Sequence, residues 1–267
     1  GGRLLVDDTM WAQFTQDLRA VAPDATWGLA SEALTALRIT KDESELDALR
    51  AAAAAADATV EDLRTRDDVI GTTEAALAAW IRERLAAHGG SGVAFEPIVA
   101  AGENGAKPHY RHGDREIRAG DPVVCDFGTR VDGYPSDTTR TFVAGSDPSP
   151  AYERVHGTVR DAQVAGIDAI EPGATTGAVD DAARSVVDAA GYGDAFVHRT
   201  GHGVGLEVHE PPYVVADGER TLESGMVCSV EPGIYLEGRF GCRIEDLVLV
   251  TDDGAERLNT TDRGWEW

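Results

Sequence analysis

The sequence contains an internal repeat, which limits the folds that the chain can adopt. Residues 115–128 (REIRAGDPVVCDFG) align without a gap with residues 220–233 (RTLESGMVCSVEPG), at a constant offset of 105 positions. Both copies place an acidic residue, Asp126 or Glu231, at the same position of a mostly apolar strand pattern. A helix pattern that starts after a Gly-Thr segment and ends at a glycine precedes each copy. The chain is therefore expected to contain two related helix-plus-hairpin halves.

Long predicted helices alternate with predicted hairpins along these halves. Four main helices are expected: residues 43–66 after a cap at Asp42, residues between a cap at Thr72 or Thr73 and Gly89, residues 150–170, and residues from 175 or 176 to 190. Strands are expected at residues 93–101, 122–127, 226–231, 233–237 and 242–251. This order indicates an α+β fold and not a doubly wound parallel sheet.

Residues 1–40 differ in character from the repeated part of the chain. They carry two tryptophans and a short helical stretch at residues 10–19, too little for a complete domain. We interpret them as the remnant of an N-terminal domain or as a linker. Residues 41–267 are then expected to form the principal domain.

The charge of the chain excludes several classes of partner. It has 47 acidic residues against 24 Lys plus Arg, a formal net charge of −23, and only Lys41 and Lys107 are lysines. Binding to nucleic acid or to an anionic membrane is excluded, because both need a basic surface. No apolar run approaches the roughly 20 residues of a membrane span. The charge favours a saline habitat as its origin, with a GC-rich genome as the alternative.

A halophilic origin makes a testable prediction about stability. We expect the melting temperature to rise between low and molar potassium chloride, because salt screens the repulsion within an acidic surface. Differential scanning calorimetry across a salt series measures this. A melting temperature that does not rise would contradict the halophilic interpretation.

The cysteines and the N-terminus indicate a cytoplasmic protein. Cys125, Cys228 and Cys242 are odd in number and form no CxxC pair, which favours a reducing compartment. The N-terminus lacks the basic-then-apolar pattern of a signal peptide. Cys125 and Cys242 are expected to be core residues.

Two pairs of carboxylates are expected to face each other across the predicted hairpins. With a turn near Asp132, Asp126 and Asp137 should lie directly opposite, with β-carbons about 5 Å apart. The midpoint between Glu231 and Glu245 is Gly238, in a predicted turn, so these two carboxylates should also lie opposite each other. Four such carboxylates repel each other unless a cation lies between them. Solvated surface acids are the alternative, but Asp126 and Glu231 interrupt apolar strand runs.

Histidines add a further candidate ligand type. Three of the seven histidines fall within residues 198–209, a segment punctuated by glycines that allow close backbone approach to a ligand. They are His198, His202 and His209. His109, in the segment KPHYRHG, is a fourth candidate. Together with the carboxylates they suggest a paired site for divalent metal ions.

These motifs together resemble the creatinase/prolidase/methionine aminopeptidase family of "pita-bread" dinuclear metallopeptidases, most closely its Xaa-Pro peptidase branch. The phrases DFGTRVDGYPSDTTRTF and TGHGVGLEVHE, and the later run EPGIY, carry the likeness over residues 41–260. The resemblance implies two pseudo-symmetric halves around a curved antiparallel sheet, a catalytic domain at residues 41–267, and a homodimer.

The resemblance also implies roles for individual residues. Five residues correspond to metal ligands: Asp126, Asp137, His202, Glu231 and Glu245. Of these, Asp137 and Glu245 correspond to the ligands that bridge the two metal ions. The implied cofactor is a pair of divalent ions, Mn²⁺ or Co²⁺, with Zn²⁺ or Fe²⁺ as alternatives, holding a bridging hydroxide. Glu231 also relays a proton, His109 and His209 bind the scissile carbonyl and the oxyanion, His198 lines the pocket, and Arg243 orients ligands.

The implied function is hydrolysis of the bond before proline in short peptides. A short proline-containing peptide is therefore the expected partner of this site. Whether the chain is an Xaa-Pro dipeptidase or an Xaa-Pro aminopeptidase stays open. Three alternatives also remain. These are a methionine aminopeptidase, a hydrolase of a non-peptide amide such as ectoine, and a non-catalytic peptide-binding member, which would have no need of five intact ligands.

Overall fold

The computed structural model describes residues 2–266 and contains six α-helices within that range. They are α1 (Ala12–Val21), α2 (Ser31–Arg38), α3 (Glu43–Arg64), α4 (Glu74–Ala87), α5 (Pro150–Asp168) and α6 (Thr176–Ala189). The four predicted main helices are confirmed as α3 to α6. Asp42 begins α3 with a capping box, in which its side chain accepts from the Glu45 amide and the Glu45 side chain accepts from the Asp42 amide.

Short strands make up the rest of the regular structure. They are β1 (Arg3–Val6), β2 (Thr26–Leu29), β3 (Ile98–Ala101), β4 (Pro122–Phe127), β5 (Arg130–Val131), β6 (Tyr134–Pro135), β7 (Thr138–Val143), β8 (Gly201–Gly203), β9 (Glu210–Val214), β10 (Val227–Val230), β11 (Gly233–Leu236), β12 (Phe240–Arg243), β13 (Asp246–Thr251) and β14 (Gly254–Arg257). One 3-10 turn, Gly102–Ala106, follows β3.

The strands form two main antiparallel sheets, one for each half. The first has the order β3-β4-β7, and the second has the order β14-β13-β10-β8-β9. The small hairpins β5-β6 and β11-β12 extend from these sheets. Helices pack on the sheets and bury the apolar residues between them. The α+β class is confirmed.

The two halves repeat even in their connecting segments. The residue that caps α4, Thr73, forms an isolated bridge with Glu116, and the residue that caps α6, Thr175, forms one with Thr221. Glu116 and Thr221 occupy equivalent positions of the sequence repeat. The repeat in the sequence is therefore a repeat in the structure.

The first hairpin has a different register from the predicted one. Asp126 pairs with Thr139, so Asp137 lies diagonally from Asp126 and not directly opposite. The cause is a tight turn at Asp132 and Gly133, both with positive φ, which pairs Val131 with Tyr134. Because the shift is two residues along the strand, Asp126 and Asp137 still share one face.

The second hairpin matches its prediction more closely. The pairs Val230–Asp246 and Gly233–Arg243 lie on either side of Glu231 and Glu245, which are therefore opposite each other. The predicted strand at residues 242–251 is divided into β12 and β13, because the Glu245 amide donates to the carbonyl of Thr139 in the other half. The strand predicted at 93–101 is shorter and is confined to β3.

The three cysteines are buried and unbonded to one another. Cys125 packs in the core of the first half, and Cys242 packs in a cluster beneath α5 and α6. Both are core residues, as expected. No helix within residues 2–266 is long and apolar enough to cross a membrane.

Residues 1–40 contribute α1 and α2 and a pair of parallel strands, β1 and β2. Neither helix has a buried residue, and Trp11, Phe14 and Leu37 are exposed. The chain then continues along the second half, where Thr40 forms a bridge with Met226.

Candidate metal centre

Five predicted ligands converge where the two halves meet. Asp126 lies on β4, Asp137 just before β7, His202 on β8, Glu231 after β10 and Glu245 between β12 and β13. Ligand atoms of Asp126, Asp137 and Glu245 lie within 4.8 Å of one another, and those of His202, Glu231 and Glu245 do the same. Glu245 therefore belongs to two overlapping groups of three.

His202 has its Nε2 atom directed at carboxylates. This nitrogen lies 3.2 Å from Glu231 Oε1 and 3.6 Å from Asp137 Oδ2. Its Nδ1 atom lies 3.1 Å from the carbonyl oxygen of Gly203, to which it donates. In the neutral ring the Nε2 lone pair is then free for a metal ion, which is the usual arrangement of a ligating histidine.

The carboxylates are in an environment that opposes their charge. Burial raises the pKa of Asp137 and Glu245 well above the usual range, and the neighbouring acids raise both further. Burial also raises the pKa of Asp126, although the Arg243 guanidinium opposes the shift. In the metal-free site, the charge of a protonated His202 and the hydrogen bond that it donates from Nε2 outweigh the effect of burial on Glu231 and bring the pKa of Glu231 to about 2.

Divalent cations fit this donor set. Asp126 Oδ1 is buried and has no hydrogen-bond partner among residues 2–266. A buried carboxylate oxygen without a partner is costly, and Asp126 sits beside two further carboxylates with only Arg243 as a nearby guanidinium. Hard oxygen ligands with one imidazole suit Mn²⁺, Co²⁺, Zn²⁺ or Fe²⁺. Two such ions would neutralise four carboxylates.

Asp137 and Glu245 are expected to stabilise the metal-free protein less at pH 8 than at pH 5, because burial raises the pKa of both carboxyl groups. Groups with a raised pKa in the folded state, here Asp137 and Glu245, stabilise it only while they are protonated. Asp137→Asn should weaken this pH dependence and stabilise the metal-free protein at pH 8 by about 1 kcal/mol. Urea unfolding at both pH values measures the effect, and an Asp137→Asn protein less stable than wild type at pH 8 would contradict it.

Arg243 and Tyr235 support the carboxylate cluster. Arg243 donates to Asp126 Oδ2 and to Thr139 Oγ1, and its Nη1 donates to the Tyr235 hydroxyl at 2.7 Å. Arg243 therefore lies beside the predicted ligand Asp126. Tyr235 was not singled out from the sequence, although it stands in the EPGIY run that follows Glu231.

The other predicted histidines lie around this cluster at different depths. His209 stands edge-on to His202 with 4.2 Å between the ring centroids. Burial and the neighbouring His202 lower the pKa of His209 to about 4. The His198 Nε2 atom lies 2.8 Å from the Tyr235 hydroxyl, and burial lowers the pKa of His198. His109 is exposed on the loop after the 3-10 turn.

A polar seam joins the two halves at the cluster. The Thr139 hydroxyl donates to Glu245 Oε2 at 2.6 Å, and the Arg140 Nη1 atom donates to the backbone carbonyl of Glu245 at 2.7 Å. Arg140 Nη2 also donates to Asp246 Oδ1 at 2.7 Å. Thr139, Arg140 and Asp246 are buried. These residues do not stand out in the sequence, because each resembles an ordinary polar strand residue.

Comparison with known proteins decides the family. The family model described as metallopeptidase family M24 matches residues 47–252. The chain belongs to this family. The resemblance drawn from the sequence motifs is thereby confirmed.

Several relatives of this M24 chain are peptidases by name. It is 49% identical over 233 residues to the probable dipeptidase PepE of Mycobacterium tuberculosis, covering 86% of this chain and 61% of that protein. It is 39% identical over 231 residues to the Xaa-Pro dipeptidase of Pyrococcus furiosus, covering 85% of this chain and 65% of that protein. The M24 chain thus spans less than two thirds of the length of these two relatives.

Solved structures of M24 relatives have the same fold. A dipeptidase from Pyrococcus horikoshii superimposes with a TM-score of 0.94 at 41% identity, over 98% of this chain and 72% of that one. A prolidase from Thermococcus sibiricus does so with a TM-score of 0.95 at 39% identity, over 98% and 71%. The expected pita-bread fold is confirmed.

Proposed function

We propose that this chain carries the active site of an Xaa-Pro peptidase, which hydrolyses the bond before proline in short peptides. The cluster of His202 with three buried carboxylates and the partly exposed Glu231, together with the unpartnered Asp126 Oδ1, carries the proposal. The names of the relatives support the substrate class, since they include Xaa-Pro dipeptidases and an Xaa-Pro aminopeptidase. Membership in a metallopeptidase family supports a metal-dependent hydrolysis.

The two groups of ligand atoms suggest how two ions, Mn²⁺ or Co²⁺, would be held. Asp126 and Asp137 would bind one ion, and His202 and Glu231 the other. Glu245 would bind both, and so would Asp137, whose Oδ2 atom lies 3.6 Å from His202 Nε2. When bound, such an ion pair lowers the pKa of a shared water and polarises the substrate carbonyl.

Glu231 would move a proton during the reaction. Its Oε1 atom accepts from the Ser229 hydroxyl at 3.1 Å and lies 3.2 Å from His202 Nε2. A carboxylate within reach of the attacking water can accept a proton from it. Glu231 would then deliver the proton to the departing proline nitrogen.

His209 and His109 would bind the substrate carbonyl. The low pKa of His209 keeps its ring neutral at pH 7, so that an N–H group can donate to the carbonyl oxygen. That donation strengthens as negative charge develops on the oxygen, which stabilises the transition state. His198 would line the pocket beside Tyr235.

His209→Ala is expected to retain metal binding and to lose rate. Removal of one donor to a developing oxyanion costs on the order of a hundred-fold in kcat, and His209 belongs to neither of the two groups of three ligands that share Glu245. Steady-state kinetics with an Xaa-Pro dipeptide, together with the Mn²⁺ content per chain, measures both effects. Wild-type turnover in His209→Ala would remove this residue from the catalytic set.

A substrate panel tests the proposed function. Xaa-Pro dipeptides, Xaa-Pro-Yaa tripeptides, Met-Ala peptides and ectoine are each assayed with added Mn²⁺ and after chelation. We expect cleavage of the proline-containing substrates only, abolished by the chelator. The ratio of dipeptide to tripeptide rates separates dipeptidase from aminopeptidase activity. Cleavage of Met-Ala or of ectoine alone would replace the proposal with the corresponding alternative.

We also propose that the protein is a homodimer, as the resemblance implies. The exposed apolar side chains of residues 1–40 support burial of this segment against a second chain. Sedimentation velocity measures the mass of the protein in solution.

A further inference from the structure

Lys41 is a buried cation in a chain that otherwise uses arginine almost exclusively. Its side chain is 1% exposed, and it is one of only two lysines. A buried ammonium costs several kcal/mol unless it is paired and hydrogen-bonded. Lys41 Nζ satisfies this need by donating to Glu210 Oε1 at 3.0 Å and to the Ile39 carbonyl at 3.2 Å.

Glu210 is held from several directions at once. Besides Lys41, its carboxylate accepts from Arg38 Nη2 at 2.7 Å and from the backbone amide of Glu207 at 3.3 Å. It lies over Gly205, where an added Cβ would be 2.2 Å from Glu210 Oε1. The carboxylate therefore ties residues 38–41 to the turn at residues 205–210.

This turn carries His209, the residue immediately before Glu210. Glu210 faces Lys41, and His209 faces the metal centre, with its ring against that of His202. Holding the Glu210 carboxylate thus sets where the His209 ring stands.

Residues 38–41 are fixed on the second half themselves. The Lys41 amide donates to the Gly225 carbonyl, and Thr40 forms a bridge with Met226 at the start of β10. A cleft of about 520 Å³ lies beside residues 38–41. Arg38 and Leu34 line it on one side, and His209 and Tyr213 line it on the other. Residues 1–40 therefore border the space in front of His209.

We propose that Lys41 and Arg38, acting through Glu210, are positioning residues for His209. The inference rests on the proposed function in that it takes His209 as a residue that contacts substrate. It makes residues 38–41 part of the catalytic apparatus and not only a connection to the segment before them.

Nuclear magnetic resonance of the metal-free protein, labelled at its histidines, tests the positioning without any activity. The variant Lys41→Met/Glu210→Gln removes both buried charges together, so that neither remains unpaired. We expect the His209 ring signal, assigned by its loss in His209→Ala, to shift or broaden. The signal of His156, buried on α5, should stay in place. An unchanged His209 signal in the folded double variant would overturn the proposal.

Arg38→Gln provides a second variant if the double variant does not fold. Arg38 is about one third exposed, and its substitution leaves the buried pair of Lys41 and Glu210 intact. The His209 signal should move in the same direction by a smaller amount. Glu256→Gln, which removes a surface partner of Arg50, is the matched control and should leave the signal unchanged. A His209 signal in Arg38→Gln identical to that of the control would also contradict the proposal.

Kinetics then separates positioning from general damage. Displacement of a group that contacts substrate costs roughly ten-fold or more in kcat, so we expect such a loss in Lys41→Met/Glu210→Gln, with an unchanged Mn²⁺ content. In a His209→Ala background the same double substitution should cause no further loss, because its effect passes through His209. An equal loss in both backgrounds would contradict positioning. Absence of any Xaa-Pro hydrolysis would refute the proposed function but leave the resonance test standing.

Discussion

Glu245→Ala is expected to abolish the binding of both metal ions and to lower kcat/KM for an Xaa-Pro dipeptide by on the order of a thousand-fold or more. Glu245 is the one residue whose ligand atom belongs both to the group with Asp126 and Asp137 and to the group with His202 and Glu231. Its loss therefore removes a ligand from each ion at once. Isothermal titration with Mn²⁺ and steady-state kinetics measure the two effects on the same preparation.

Glu256→Ala is the control for this experiment. Glu256 lies on β14, is 43% exposed and pairs with Arg50 at the surface. Its removal should leave Mn²⁺ binding and turnover at wild-type values, because exposed ion pairs contribute little. The Glu245→Ala protein should still fold, since burial opposes the charge of Glu245 in the absence of metal. Full turnover by metal-stripped Glu245→Ala would refute the dinuclear mechanism.

Asp246→Ala is expected to lower the free energy of unfolding by about 3–5 kcal/mol. Asp246 is fully buried and accepts from Arg140 at 2.7 Å, from Arg257 at 2.9 Å and from Gln163 at 3.0 Å. Arg140 is itself 1% exposed. Removing the carboxylate leaves a buried guanidinium without its counter-charge, which is the costly way to break a buried ion pair.

Urea unfolding measured by circular dichroism gives the size of this loss. The same Glu256→Ala control should change the stability by less than about 1 kcal/mol. Because Arg140 also donates to the backbone carbonyl of Glu245, Asp246→Ala should weaken Mn²⁺ binding as well. A loss in stability no larger than that of the control would show that the seam between the halves does not depend on this ion pair.

Much of the fold could be predicted because it repeats or is local. The match between residues 115–128 and 220–233 predicted two halves, and caps such as Asp42 and Thr73 predicted where helices begin. The second hairpin was placed in the correct register because Gly238 lies at its centre. These features depend on residues that are close together in the sequence or that recur in it, so a single sequence is enough to predict them.

The misplaced register of Asp126 and Asp137 shows where local reasoning ends. The centre of the turn lies one residue further along than predicted, and one residue at the turn moves the strand pairing by two. Asp126 therefore faces Thr139. The face on which both carboxylates lie was still correct, because strand alternation is unaffected by a shift of two.

The seam between the halves could not be predicted. Thr139 pairs with Glu245, and Arg140 with Asp246, across more than a hundred residues of chain. Nothing in the periodicity of either strand specifies which strand of the other half it meets. One sequence feature pointed to a buried polar contact at this place. It is the cluster of polar residues in TTRT, within a strand that is buried along its whole length.

The central claim is that the paired hairpins of an M24 fold hold two divalent ions in this chain and use them to hydrolyse Xaa-Pro bonds. The most direct measurement is a titration of the metal-stripped protein with Mn²⁺, in which bound metal and the initial rate of Xaa-Pro dipeptide hydrolysis are followed together. We expect the rate to rise from zero and to saturate at two ions per chain. Hydrolysis at the full rate with no metal bound, or saturation of binding at one ion, would contradict the claim.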